Sequence, residues 1–148
     1  YYAPHVVRKI QGVQLKQKYL KRHKVMGTPQ AFNEVVAGMV SSAHGGTCAH
    51  AVHPGYTLAG KTGTAQNRGK DHSVFMGFAP VESPKIAIAV YVENGGFGAV
   101  YGVPIGSLMM EQYINGKLTP HDEAQAVSIQ NRHISYSFKR KMTLSDSL

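Results

Sequence analysis

The sequence is short of cysteine, of long apolar runs and of acidic side chains. A single cysteine, Cys48, stands among 148 residues, which leaves no internal disulfide framework and no zinc site built from several thiolates. The longest stretch without Lys, Arg, Asp or Glu, Val35 to Gly60, is broken by glycines, serines, Pro54 and three histidines, so it is not a membrane span. Eight acidic residues face 16 Lys and Arg, for a net charge of +8. Residues 1–27 hold no acid at all while carrying Arg8, Lys9, Lys16, Lys18, Lys21, Arg22 and Lys24. The rest is close to neutral, with four bases and five acids over 28–116 and five bases and three acids over 117–148. The basic segment has no aromatic stacking pattern and no nucleic-acid motif, so it reads as a solvated basic face and no nucleic-acid partner is expected. The chain has no secretory signal and opens on Tyr1-Tyr2 rather than Met, so it reads as a mature product or a fragment.

What is present suits one globular domain: 43% of residues are hydrophobic and 16% charged. After short extended pieces and a turn at Gly12, Thr28-Pro29 is a helix start, a hydroxyl cap followed by proline. Phe32, Val35, Val36, Met39, Val40 and Ala43 then repeat on one helical face, and Gly45-Gly46 reads as a left-handed stop. Three strands are expected at Tyr56–Thr62, Ser73–Ala79 and Lys85–Val92, the last two joined by a connection too short for a crossover. The third carries Ile86, Ile88, Val90 and Val92 on one face and Ala87, Ala89 and Tyr91 on the other, which predicts cover on both sides. A glycine-rich turn, Glu93–Gly98, with Gly95 and Gly96 at positive φ, leads to a helix over about Pro104–Tyr113, stopped at Asn115-Gly116. From Lys117 the periodicity fades, and 117–148 reads as a polar, basic, flexible tail. The fold class is α+β, an antiparallel sheet sandwiched by helices.

The segment Gly55–Gln66 fits two motifs with different chemistry. Gly55, Gly60, Lys61 and Thr62 satisfy the phosphate-loop pattern, which would make a nucleotide-binding protein. That loop needs a buried strand before its first glycine and a helix after its lysine. Here Pro54 and a polar stretch precede it and the glycine-rich 63–69 follows, so the context argues against it. The other motif is Lys61-Thr62-Gly63 on a strand edge, where glycine admits a substrate backbone and lysine attracts a carboxylate. Two further candidates carry less weight. His44, Cys48, His50 and His53 have zinc-ligand chemistry but no standard spacing, and Asp71-His72 is better placed to organise a loop than to act as acid and base.

Ala59–Gln66, Asp71-His72-Ser73, Gly77-Phe78-Ala79-Pro80, Ile86–Val90 and Val92–Gly96, in that order, resemble class B penicillin-binding proteins, and among them the penicillin-binding protein 2-like peptidoglycan D,D-transpeptidases. Tyr2–His5 and Gly45-Gly46-Thr47 match as well, and the similarity covers residues 1–116. The departure is equally clear: none of the ten serines has Lys three residues later or Asn two residues later. The nucleophilic serine, its lysine and the middle motif are therefore absent, and the resemblance is to the C-terminal part of the transpeptidase domain.

The resemblance implies a penicillin-binding enzyme that cross-links peptidoglycan stem peptides during cell elongation. Lys61 would supply positive potential, the Thr62 and Thr64 hydroxyls would bind the substrate or β-lactam carboxylate, Gly63 would allow close approach, and the Thr64 N–H would be an oxyanion donor. It implies no cofactor or metal. It further implies elongation-machinery partners and a position on the periplasmic face of the inner membrane, held by an N-terminal anchor outside this chain. A serine β-lactamase is the nearest alternative, differing in deacylation.

Overall fold

The computed structural model describes residues 1–7 and 9–136; Arg8 and the last part of the expected tail, 137–148, lie outside the described residues. The chain divides into a first unit, Tyr1–Asn33, and a second that begins at Glu34. The first is built on little regular structure. Tyr1 and His23 tie it, exchanging backbone hydrogen bonds of 2.8 and 2.7 Å and stacking their rings. Gly12, at φ 76, turns the chain so that Ile10 and Val13 form an isolated bridge. The lysine-rich run holds one helical turn, α1 (Gln17–Leu20), and Lys9, Lys16, Lys18, Lys21, Arg22 and Lys24 are all exposed.

Helix α2 runs over Pro29–Gly45, opened by the Thr28 hydroxyl, which accepts from the Ala31 N–H at 3.2 Å. Its stop differs from expectation. Neither Gly45 nor Gly46 is among the residues with positive φ; instead Gly46 and Cys48 N–H both bond the Ser42 carbonyl, at 3.1 and 3.0 Å, and tighten the chain into a 3-10 turn at Ala49–Ala51. The apolar stripe of α2 is buried only at Ala43, with Phe32 and Val35 exposed.

The second unit centres on three antiparallel strands, β1 (Ala59–Ala65), β2 (His72–Ala79) and β3 (Ile86–Val92), in the order β1-β2-β3. β1 starts three residues later than expected, because Gly63, Thr64 and Ala65 pair with Val74, Ser73 and His72 while Tyr56 makes only a bridge to His53. Helix α3 (Gly102–Asn115) lies against β2 and β3 and ends on Gly116 at φ 75, as the left-handed stop requires. Its buried residues include Val103, Gly106, Leu108 and Met110, whereas Met109 is exposed. Gly106 sets that orientation. A methyl group there would collide with the ring of Phe75, which is fully buried, and one on Gly102 would lie 3.0 Å from the Phe75 Cβ. Helix and sheet therefore approach closely only because these two positions lack a Cβ.

Two expectations are corrected here. The Ile86, Ile88, Val90 face of β3 packs against the core, but Ala87, Ala89 and Tyr91 are exposed: α3 covers one side of the sheet, and no described element covers β3 on the other. The stretch from Lys117 is also not featureless. Helix α4 spans Pro120–Gln130, capped by Thr119, whose Oγ1 accepts from the Asp122 N–H and donates to the Asp122 carboxylate at 2.6 Å. Its polar sequence hides it, because α4 buries no residue and is held by its cap and by contacts with α3. Among the described residues, no helix is long and apolar enough to cross a membrane.

Candidate active site

Lys61, Thr62, Gly63 and Thr64 occupy the middle of β1, the edge strand whose one partner in the sheet is β2. This placement removes the nucleotide-binding alternative, which needs Lys61 and Thr62 at the start of a helix. Side chains alternate along a strand. By register, Lys61 stands in a row with Met76 and Ala89 on the open face, while Thr62 shares a row with Phe75 and Val90 on the side of α3. The four residues share an edge, not a face. Lys61 bends back so that its Nζ donates to the Thr62 carbonyl at 2.8 Å. Its side chain is exposed and, among the described residues, has no acidic partner; the ion pair found there joins His53 to Glu111. An anion arriving at β1 thus meets a positive charge that no carboxylate among the described residues has neutralised.

Thr62 Oγ1 donates to Thr47 Oγ1 at 2.8 Å, bringing the turn after α2 against the strand. From the other side comes the turn after β3. Gly98 packs so closely that an added Cβ would lie 2.8 Å from the Gly63 carbonyl and 2.9 Å from the Thr62 Cβ. This turn is anchored on β2 by Ser73, buried, whose hydroxyl donates to the Phe97 carbonyl at 2.8 Å and accepts from the Gly102 N–H at 3.0 Å. Asp71 and His72 belong to the same wall. The Asp71 carboxylate accepts from the Asn67 N–H at 3.3 Å, its carbonyl from Gly96 at 2.7 Å, and His72 Nδ1 from the Asn94 N–H at 3.0 Å. Positive φ falls on Asn94 and Gly96 and not on Gly95. Asn tolerates the left-handed region, and Gly95 is needed for closeness, since a Cβ there would lie 2.8 Å from the Ser73 Cβ.

The histidine-rich stretch separates. Cys48 is fully buried in the core, His44 and His50 are exposed, and among the described residues no three metal-binding side chains come together. His53 joins a different cluster, one that sequence reasoning missed. Its Nδ1 accepts from the Gly55 N–H at 2.9 Å, its Nε2 lies 3.5 Å from the Glu111 carboxylate, and its ring stacks on Tyr56 at 4.5 Å. Glu111, only 2% exposed, also accepts from the Thr119 N–H at 2.9 Å, so one carboxylate ties α3 to the loop before β1 and to the cap of α4. Burial, with Glu111 and Asp122 nearby, pushes the Tyr56 hydroxyl up to about 12, and that hydroxyl is buried without a hydrogen-bond partner among the described residues. The hydrogen bond from Thr119 holds the Asp122 carboxyl below its usual range. A cavity of about 560 Å3 beside this loop, lined by His44, His53, Tyr56, Leu58 and Glu82 among others, includes none of Lys61, Thr62, Gly63 or Thr64.

The sequence profile of the penicillin binding protein transpeptidase domain matches residues 1–111. The chain belongs to the penicillin-binding protein transpeptidase family. Among curated relatives, it is 28% identical over 152 residues to the peptidoglycan D,D-transpeptidase MrdA of Haemophilus influenzae, covering 88% of this chain and 23% of that protein. To MrdA of Acinetobacter baumannii it is 33% identical over 115 residues, covering 65% and 17%. Among solved structures, Pseudomonas aeruginosa penicillin-binding protein 2 in complex with WCK 5153 superposes with a TM-score of 0.56 at 38% identity, over 66% of this chain and 23% of that one. Penicillin-binding protein A of Mycobacterium tuberculosis, as an imipenem acyl-enzyme, gives 0.53 at 32% identity, over 60% and 20%. This transpeptidase segment thus spans about a fifth of the length of the relatives it matches.

Proposed function

We propose that residues 1–116 form the C-terminal part of a penicillin-binding protein 2-like peptidoglycan D,D-transpeptidase, with 117–148 appended to it. One observation carries this reading: within a family-matched chain, the Lys-Thr-Gly-Thr segment lies on an edge strand with the Lys61 charge unpaired among the described residues. Lys61 draws the terminal carboxylate of a stem peptide, or of a β-lactam, toward β1. The Thr62 and Thr64 hydroxyls bind that carboxylate, and Gly63 lets the ligand backbone approach. The Thr64 N–H acts as one oxyanion donor, an interaction whose removal typically costs about 2.7–4 kcal/mol of transition-state stabilisation. Acylation itself falls to a serine that this sequence does not contain, after which the acyl group passes to an amine of another strand. The place of action is the periplasmic face of the inner membrane, with an anchor outside these residues. A solved complex of Helicobacter pylori penicillin-binding protein 2 with MreC, similar in fold at a TM-score of 0.50, supports a partner in the elongation machinery.

Fluorescent penicillin followed by denaturing electrophoresis tests the reading. The intact protein that carries an S-x-x-K serine upstream of these residues becomes covalently labelled, and residues 1–148 alone stay dark. Label on any of the ten serines here overturns the assignment of the nucleophile.

A further inference from the structure

Thr47 has no role in the reading above, yet it makes the one side-chain hydrogen bond recorded to the Thr62 hydroxyl among the described residues. It sits on the turn after α2, is exposed, and is held firmly. The N–H groups of Gly46 and Cys48 on either side both bond the Ser42 carbonyl, and the Cys48 side chain is fixed in the core. Ser42 Oγ lies 3.4 Å from Thr47 Oγ1, so three hydroxyls, Ser42, Thr47 and Thr62, form a row ending at β1. Thr62 is confined from the other side by Gly98, whose backbone leaves no room for a methyl group.

A hydroxyl has one proton and two lone pairs. While Thr62 gives its proton to Thr47, it offers only lone pairs to anything at the edge of β1, and lone pairs repel a carboxylate. We propose that Thr47 is a positioning residue for carboxylate recognition, working by reversal of this hydrogen bond. When a carboxylate reaches the strand, the Thr62 proton turns to it, and Thr47 donates its own proton to the Thr62 oxygen it had accepted from. Only hydroxyl protons rotate; the heavy atoms stay where they are. Thr62 keeps a partner in both states, and the donated bond from Thr47 polarises its O–H toward the anion. This inference rests on the transpeptidase reading, because that reading supplies the carboxylate.

The experiment measures second-order acylation rate constants of the intact protein carrying residues 1–148, using penicillin G as the free acid and as its methyl ester. Thr47→Val keeps the shape and removes the hydroxyl. The free-acid rate is expected to fall about three- to tenfold, the size of one neutral hydrogen bond, while the ester rate moves less than about twofold, and Thr47→Ser restores the acid rate. Thr47→Ala, which adds no bulk, reports the same ratio if the β-branched valine disturbs the turn. A merely structural role would lower both rates together. That result, an unchanged acid rate, or failure of Thr47→Ser to rescue overturns the inference. An unsubstituted protein that neither compound acylates overturns the transpeptidase reading itself and the inference with it.

Discussion

The two faces of the sheet began from similar sequence and ended in different surroundings. Along β3, Ile86, Ile88, Val90 and Val92 alternate with Ala87, Ala89 and Tyr91, and both sets are apolar. Ile86, Ile88 and Val90 of the first set pack under α3, around the fully buried Phe75 and Met110. The second faces outward, with Tyr91 58% and Met76 52% exposed in neighbouring rows. Apolar character on both sides therefore records what a strand tolerates, not what covers it. Lys61, in the row of Met76 and Ala89, belongs to the open face, whereas Thr62, in the row of Phe75, belongs to the closed one. A ligand at the edge of β1 is met by side chains from both.

The sharpest way to break this contrast is at the closed face. Phe75→Ala should cost about 3–5 kcal/mol in denaturant unfolding, since the ring is fully buried among Gly60, Gly77, Gly102 and Gly106, which offer no side chains to fill the space. A loss below about 1 kcal/mol would show that α3 does not close on the sheet there. On the open face, Lys61→Ala in the intact protein should slow penicillin acylation at least about tenfold, or about 1.4 kcal/mol, with melting unchanged because the side chain is exposed. Acylation at the parental rate would remove Lys61 from the site.

Tyr56→Phe probes the closed side again, where its ring packs against the core. Deleting a buried hydroxyl that has no partner among the described residues should be neutral or stabilising by up to about 1 kcal/mol. The sign with pH follows from its raised value. An unfolded tyrosine ionises near 10, and the folded one near 12, so its contribution is fully present below about 10 and is lost as pH climbs through 12. The substitution should flatten alkaline unfolding in that window, and an unaltered alkaline limb would place the hydroxyl in water. The smallest effect belongs to Ala89→Phe. Overpacking beneath a helix would cost about 1–3 kcal/mol; on the exposed face observed here, thermal melting should register less than about 0.5 kcal/mol.

Legibility in the sequence followed the range of the interactions. Thr28-Pro29 announces α2 because a cap and a fixed φ act within one turn. Thr119-Pro120, followed by Asp122, is the same signal and does start α4, yet it stands before a polar stretch with no apolar stripe to second it. The place of Gly106 in the buried stripe of α3 is hidden in the sequence because glycine counts as nothing in an apolar tally, although the Phe75 ring lies directly on it. Lys61, Thr62, Gly63 and Thr64 were legible as a motif. Their distribution over two sides of a strand, and the Thr47 hydroxyl beside Thr62, were not.

By itself the sequence determined the three strands and their antiparallel pairing, the two long helices and the Lys-Thr-Gly-Thr segment on its strand. Alternation, caps, turn residues and short connections act over a few residues and need no distant partner. Only the tertiary structure decided which face α3 covers, which turn closes on β1, and which carboxylate, Glu111, links His53 to Thr119. Those outcomes depend on contacts between residues tens of positions apart, where the absence of one Cβ or the direction of one hydroxyl selects among arrangements that local pattern leaves equally open.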